Sequence, residues 1–283
     1  MKNILLCLTL IVTCSFSSFA HAGETPQRII SLAPNMTEIL FALGLGNRIV
    51  GVTSFCDYPA EAKKKPKVGG MSNPSLEAVI SLKPDVVVMT IDGNPREFEE
   101  RLRSLGIKTY VFRASRLREL PKGARDLGKA LGVQEEAETF AREFEAAVKR
   151  VEAGERVTGT HTLSARGRTL FIVWPEPLIA AGPGTVIDDA LTLIGLDNIA
   201  SDLRVSYPKY SIEEIIRRAP EVIIIGRGMD HKDIEKISAG LLKRLHSVPA
   251  VKNKRVFYVS DDLYRLGPRT VRGIEEISGL VVR

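Results

Sequence analysis

Short β-branched runs alternate along this chain with segments whose apolar residues recur every three or four positions, the pattern of strands and amphipathic helices in a parallel α/β fold. The runs 28–32, 48–53, 85–90, 108–112, 168–173, 221–225 and 255–259 predict strands. Between them, 37–43, 75–82, 95–105, 117–131, 186–194, 211–218, 233–245 and 268–280 carry helical spacing.

Residues 134–155 break the alternation. They contain no proline and no glycine but Gly154, and Ala137, Phe140, Ala141, Phe144, Val148 and Val151 recur at three-and-four spacing. One long amphipathic helix is predicted there. About 20 residues rising 1.5 Å each span roughly 30 Å, enough to cross from one lobe to another. The chain is therefore divided into an N-terminal α/β lobe over 23–133, a linking helix over 134–155 and a C-terminal α/β lobe over 156–283.

The two halves echo each other. SLEAVISLKPDVVVMT (75–90) aligns without a gap to SIEEIIRRAPEVIIIG (211–226), with five of sixteen positions identical and six more conservatively exchanged. GLGN (44–47) and GLDN (195–198) form a second echo, each closing an apolar helix that starts soon after Pro34 or Pro183. A helix, a proline, an acid and a buried strand form a generic α/β unit. Two copies in matching order favour two related lobes facing across a cleft, where small ligands usually bind.

Composition supports a folded, exported protein. Of 283 residues 44% are apolar, enough for a substantial core, and at this length single cores commonly split. The basic start Met1-Lys2-Asn3, the apolar run 4–16 and Ala20-His21-Ala22 read as a secretory signal over 1–22, too short in its apolar part to span a bilayer. Removing 22 of the 283 residues leaves 261, and losing Lys2 lowers the charge from +6 to +5. That small excess is interspersed with acids, which argues against nucleic-acid binding.

The signal also removes two of the three cysteines, so Cys56 has no disulfide partner. Three roles are open to it: packed side chain, ligand contact or nucleophile, the last opposed by neighbouring Asp57. Phosphate-loop, HExxH, GxSxG and CxxC motifs are absent from the sequence, and Gly226-Arg227-Gly228 lacks the third glycine of a dinucleotide fingerprint. His161, His231 and His246 lack metal-ligand spacing. The expectation is a protein that is not an enzyme and holds neither metal nor resident cofactor. An exported α/β enzyme is the distant alternative.

RIISLAPNMTEILFALGLGNRIVGVTSFCDYP (28–59), SLEAVISLKPDVVV, PLIAAGPGTVIDDALTLIGLDNIA (177–200) and YPKYSIEEIIRRAPEVIII (207–225) resemble the cluster A-II periplasmic binding proteins, most closely the cobalamin-binding members, over nearly all of the mature chain. The resemblance implies two Rossmann-like lobes joined by a single long rigid helix, with a ligand cleft between them. It implies a monomeric periplasmic protein that captures cobalamin or a related corrinoid and delivers it to the membrane subunits of an ABC importer. Haem or a ferric siderophore is the alternative ligand on the same scaffold.

Carried over by residue, the resemblance places Tyr58 of CDYP and Tyr207 on opposite sides of the cleft, suited to the faces of a macrocycle. Trp174, the only tryptophan, precedes Pro175-Glu176-Pro177 at a strand end, a usual place for a residue lining a cleft. Arg265 is expected to reach polar ligand groups with Asp261 accepting from an amide, and Arg269 is expected either in the family's Arg-x-x-Pro-Arg region or as a surface charge on the last helix. Several cobalamin binders carry tryptophan where this chain has Met71 and Thr90, so its cleft should be less aromatic. Met71 still packs as a soft side chain. Glu77 and Glu213, the matched acids of the repeat, each follow a serine able to cap its helix. Family members dock there through salt bridges to the importer, and the same acids complement helix dipoles. The run 63–67, with four lysines around Pro66, reads as a solvated loop.

Overall fold

Consecutive β-branched residues become strands buried on both faces. The computed structural model describes residues 25–153, 167–228 and 233–281. Strands β1 (Ile29–Ser31), β2 (Ile49–Val52), β3 (Val86–Thr90) and β4 (Thr109–Phe112) form one sheet in the order β2-β1-β3-β4, every pair parallel. Strands β5 (Arg168–Pro175), β6 (Leu178–Ala180), β7 (Asp197–Asn198), β8 (Val222–Gly226) and β9 (Val256–Val259) form the second. There β7 pairs in parallel with the start of β5 and β6 runs antiparallel against its end, while β8 and β9 follow in parallel on the other edge. All five residues of β3 and of β8 are buried, as layers on both faces of a parallel sheet require.

The internal repeat is therefore a repeat of topology. The orders β2-β1-β3-β4 and β7-β5-β8-β9 match strand for strand, with the duplicated segments supplying β3 and β8. Strand β6 is an addition to the second domain that the sequence did not signal, because its three residues are too few to show a period.

Helices α1 (Pro34–Ala42), α2 (Leu76–Ser81), α3 (Arg96–Ser104), α4 (Leu120–Leu131), α5 (Gln134–Glu152), α6 (Val186–Leu193), α7 (Ile212–Arg218), α8 (Ile234–Arg244), α9 (Pro249–Lys252) and α10 (Thr270–Val281) complete the layers. Three helix starts differ from expectation by two residues or more. α1 begins at Pro34, since a proline fits the first helical turn, where its missing N–H would go unbonded anyway. The segment 117–131 opens with a 3-10 turn, Leu117–Glu119, because the Glu119 carboxylate accepts from the backbone N–H of Ser115 at 3.0 Å and Arg116 at 3.1 Å. α10 starts two residues late at Thr270, whose hydroxyl accepts from Gly267 N–H at 2.8 Å.

The duplicated helices share their ends. Ser75 Oγ accepts from Ala78 N–H at 3.2 Å, and Ser211 Oγ accepts from Glu214 N–H at 3.1 Å. Lys83 and Ala219, one residue before Pro84 and Pro220, both adopt left-handed backbone with φ of 46° and 45°. A side chain in that region costs energy, and the same register holds it in both halves.

The long helix forms as α5, with 19 residues; the last two positions expected of it, Gly154 and Glu155, lie outside the described residues, as do the signal at 1–22, His161 and His231. It packs along α4 through a close approach at Gly128, where a Cβ would lie 2.2 Å from Ala137 Cβ. Arg125 of α4 clamps it by reaching Glu138 at 2.6 Å and Glu145 at 2.7 Å. Among the described residues, no helix is long and apolar enough to cross a membrane.

One apolar cluster runs through both domains, from Ile29, Val88 and Met36 to Phe171, Leu263, Leu266 and Ile274. An ion pair adds to it. Arg116, before α4, holds Asp189 of α6 through its guanidinium, and Leu117 N–H donates to the same carboxylate at 2.9 Å. The two sheets are thus one packed body.

Candidate ligand cleft and docking helices

The carboxyl ends of parallel strands, where ligands bind in open α/β sheets, carry most of the large apolar side chains that remain exposed. Phe55 and Tyr58 follow β2, Ile91 follows β3, and Val205 and Tyr207 follow β7. Tyr58 is 42% exposed and Tyr207 48%, so each leaves much of its ring open to a contact.

On the first domain, Met71 and Thr90 are joined through Asn94, which the sequence did not single out. Its Oδ1 accepts from Thr90 N–H at 2.8 Å, and its Nδ2 donates to Leu32 O and Met71 O at 2.9 Å each. Three loops are clasped by one amide. Met71 packs on Gly93 and is half-buried, whereas Thr90 is only 9% exposed and adds little surface.

On the second domain, Trp174 stands at the end of β5 and its indole N–H donates to Glu176 O. Next to it, Val173 O accepts from the Tyr264 hydroxyl at 3.1 Å, and the Tyr264 ring meets Phe171 edge-on at 5.8 Å. Burial pushes the Tyr264 phenol up, and the neighbouring Tyr207 and Asp261 add to it. Enclosure of the Tyr207 hydroxyl raises it too, helped by the charge of Asp92 from the β3–α3 loop of the opposite domain. The carboxyl ends of the two sheets face each other, since Arg265 in the loop after β9 reaches Asp57 in the loop after β2 at 2.6 Å. Gly226 makes room for this wall, since a Cβ there would lie 1.7 Å from the Tyr264 hydroxyl. Gly226→Ala is expected to expel Tyr264 and cost about 1–3 kcal/mol, the usual penalty of overpacking, read as a lower urea midpoint with altered near-ultraviolet circular dichroism.

The expected polar ligand contacts sit in a buried ionic cluster that spans both domains. Arg265, 4% exposed, donates to Glu38 at 3.0 Å and to Asp57 at 2.6 Å and lies 3.0 Å from Asp261. Arg269 is not the surface charge that was one of its two expected places. Its Nε and Nη2 bind the Glu38 carboxylate at 2.9 and 2.7 Å, its Nη1 contacts Asp262, and its guanidinium lies 4.6 Å from the Tyr58 ring centroid. Glu38, wholly buried on α1, is 231 residues away in sequence from Arg269, so no local signal could have found the pair. Burial by itself would raise the Asp57 carboxyl, but the Arg265 hydrogen bond and charge outweigh it and lower it.

Glu77 and Glu213 do not join this group; they lie exposed in the first turns of α2 and α7. Beside Glu213, the hydrogen bonds of Arg217 and then Arg218 pull the Glu214 carboxyl down to about 2. A group lowered on folding stabilises the fold above its unfolded value near 4.5 and loses that contribution as pH falls toward 2. Carboxyl NMR should place the Glu214 midpoint near 2, moving upward in Arg217→Gln/Arg218→Gln.

Cys56 takes the first of its three roles, packed at 1% exposure between the hydroxyls of Thr37 and Thr53, each 3.1 Å from its sulfur. Among the described residues, no cluster of three His, Cys, Asp or Glu side chains is arranged to hold a metal.

Known proteins share this arrangement. The vitamin B12-binding protein of Pectobacterium atrosepticum is 33% identical over 259 residues, covering 90% of this chain and 88% of the relative. The vitamin B12-binding protein BtuF of Vibrio cholerae superposes with a TM-score of 0.77 at 26% identity, covering 91% of this chain and 97% of that one. The heme-binding protein RhuT of Roseiflexus sp. RS-1 does so with a TM-score of 0.78 at 27% identity, covering 90% and 97%. The characteristic profile of the periplasmic binding proteins matches residues 29–263, and with fold, facing sheet ends and relatives in agreement, the chain belongs to the periplasmic binding protein family.

Proposed function

We propose that this protein captures cobalamin or a related corrinoid between its two domains and hands it to the membrane subunits of an ABC importer. It works in the periplasm as a monomer after loss of residues 1–22, without catalysis or a resident cofactor, and α5 serves as the spine between lobes 23–133 and 156–283. The observation that carries this reading is the pair of exposed tyrosines, Tyr58 and Tyr207, at the facing carboxyl ends of the two sheets. A corrin ring is flat and apolar on its faces with amides at its rim. Tyrosine rings complement the faces and their hydroxyls the rim. Trp174 and Met71 extend the walls, Thr90 leaves room, and Asp261 and Arg265 supply charge at the floor.

Haem is the second reading, favoured by the likeness to RhuT and by a cleft with Met71 and Thr90 in place of large aromatics. One experiment separates the two. The chain without residues 1–22, mixed with cobalamin and passed through gel filtration, is expected to carry the visible corrin absorbance with it and to bind with a Kd below about 1 μM, or about −8 kcal/mol. Elution free of corrin, with retention of haem or a ferric chelate, overturns the assignment.

A further inference from the structure

Two of the exposed large apolar side chains occupy the same place in the internal repeat. Ile80 and Ile216 are 42% and 44% exposed. They align in the duplicated segments, and the six positions 75–80 and 211–216 show the same succession of exposed, half-buried and buried residues. In both helices the isoleucine lies three residues after the acid, Glu77 or Glu213, so each turn presents a carboxylate and a branched apolar group on one face. Val79 and Ile215, one position earlier, already supply the buried contact of each helix. Leu105 and Ile237, also exposed, have no such counterpart.

Single exposed apolar residues need no explanation; a matched pair beside matched acids does. We propose that Ile80 and Ile216 are apolar anchors of the docking surface, each seating in a pocket beside the cation that receives Glu77 or Glu213 on one of two equivalent membrane subunits. The proposal rests on the reading of this chain as an importer's binding protein. The occupant follows from that reading: the family resemblance implies that Glu77 and Glu213 meet cations of the importer's membrane subunits, and a surface duplicated once per domain, with one acid and one apolar group in each copy, matches two equivalent subunits. Its position agrees. α2 and α7 are each entered four residues after a cleft residue, Met71 to Ser75 and Tyr207 to Ser211, so a partner on both helices straddles the cleft mouth.

Carboxylates and isoleucines contribute differently, which makes the roles separable. Long-range attraction by exposed charges is screened by salt, whereas apolar burial is not. Kd for the host's importer in nanodiscs is to be measured at 50 and 300 mM salt, together with cobalamin affinity and melting temperature. Ile80→Ser/Ile216→Ser is expected to weaken the complex at least 10-fold at both salt concentrations, leaving cobalamin affinity and melting temperature unchanged. Ile80→Met/Ile216→Met, which keeps apolar area, should bind as the parent does. Glu77→Gln/Glu213→Gln should instead weaken the complex mainly at 50 mM. An unchanged Kd in the serine variant, with the glutamine variant still impaired, overturns the anchors alone. An unchanged Kd in both overturns the docking surface altogether.

Discussion

Glu38→Ala is expected to destabilise the protein by about 3–5 kcal/mol, the scale for leaving buried charges without their partner. Glu38 is wholly buried and holds both arginines of the ionic cluster. Its loss strands Arg265 at 4% exposure with Asp57 and Asp261, and removes the bidentate anchor of Arg269. Because α1 belongs to the first sheet's layer and Arg265 and Arg269 precede α10 in the second, the same substitution should loosen the domains relative to each other. Melting temperature and urea midpoint measure the first effect, and hydrogen exchange across α1 and α10 the second. Glu38→Gln, which keeps the shape and one acceptor, should fall between. A loss below about 1 kcal/mol, within the range of surface ion pairs, would mean that the three aspartates suffice. The cluster also has a pH signature. Asp57, lowered by Arg265 against its burial, stabilises the fold above its unfolded value of 3.8, and that contribution disappears as pH falls below it.

Removing both rings in Tyr58→Ala/Tyr207→Ala is expected to raise the Kd for cobalamin by about 100-fold or more. A large side chain is worth about 1.5–3 kcal/mol when buried against a ligand instead of water, which is roughly 10- to 100-fold for each ring. The unliganded protein should hardly notice, since both rings are about half exposed. Tyr58 has a further dependence: the Arg269 guanidinium, fixed by Glu38, lies against its face at 4.6 Å. Arg269→Met should therefore weaken binding in the parent and much less in Tyr58→Ala, a non-additivity that isothermal titration of the four proteins would read directly. Tyr58→Phe should retain the coupling. Additive losses would place the effect of Arg269 in global stability and not in the orientation of the ring.

The predicted strands and helices formed because their signals are local. Three consecutive valines in β3 and three consecutive isoleucines in β8 suit only strands covered on both faces, and the serine caps at Ser75 and Ser211 need only the next three residues. The repeat was legible for the same reason, since each copy is a contiguous unit whose topology follows from its own alternation. Boundaries slipped where a single contact decided them, as at Pro34 and at the Glu119 carboxylate. The site was legible in part. Trp174 stands before a proline at a strand end, a place that can be recognised from sequence, whereas Tyr58 and Tyr207 were expected only through the family resemblance. Asn94 offered only its place before Pro95, too common a pairing to mark the amide that clasps three loops.

What the sequence by itself determined is the set of units: parallel strands, capped helices, a duplicated half and one long helix between the halves. Only the tertiary structure decided which charges are buried. Arg265 and Arg269 look in sequence like the polar residues of an exposed loop, and Glu38 like an ordinary helical acid. Their fate depends on one domain's first helix meeting the other domain's last loop across more than two hundred residues. In water such charges are cheap apart; once packing has excluded water they are tolerable only together. Packing across that distance has no period or motif, so it is written in the fold and not in any stretch of the chain.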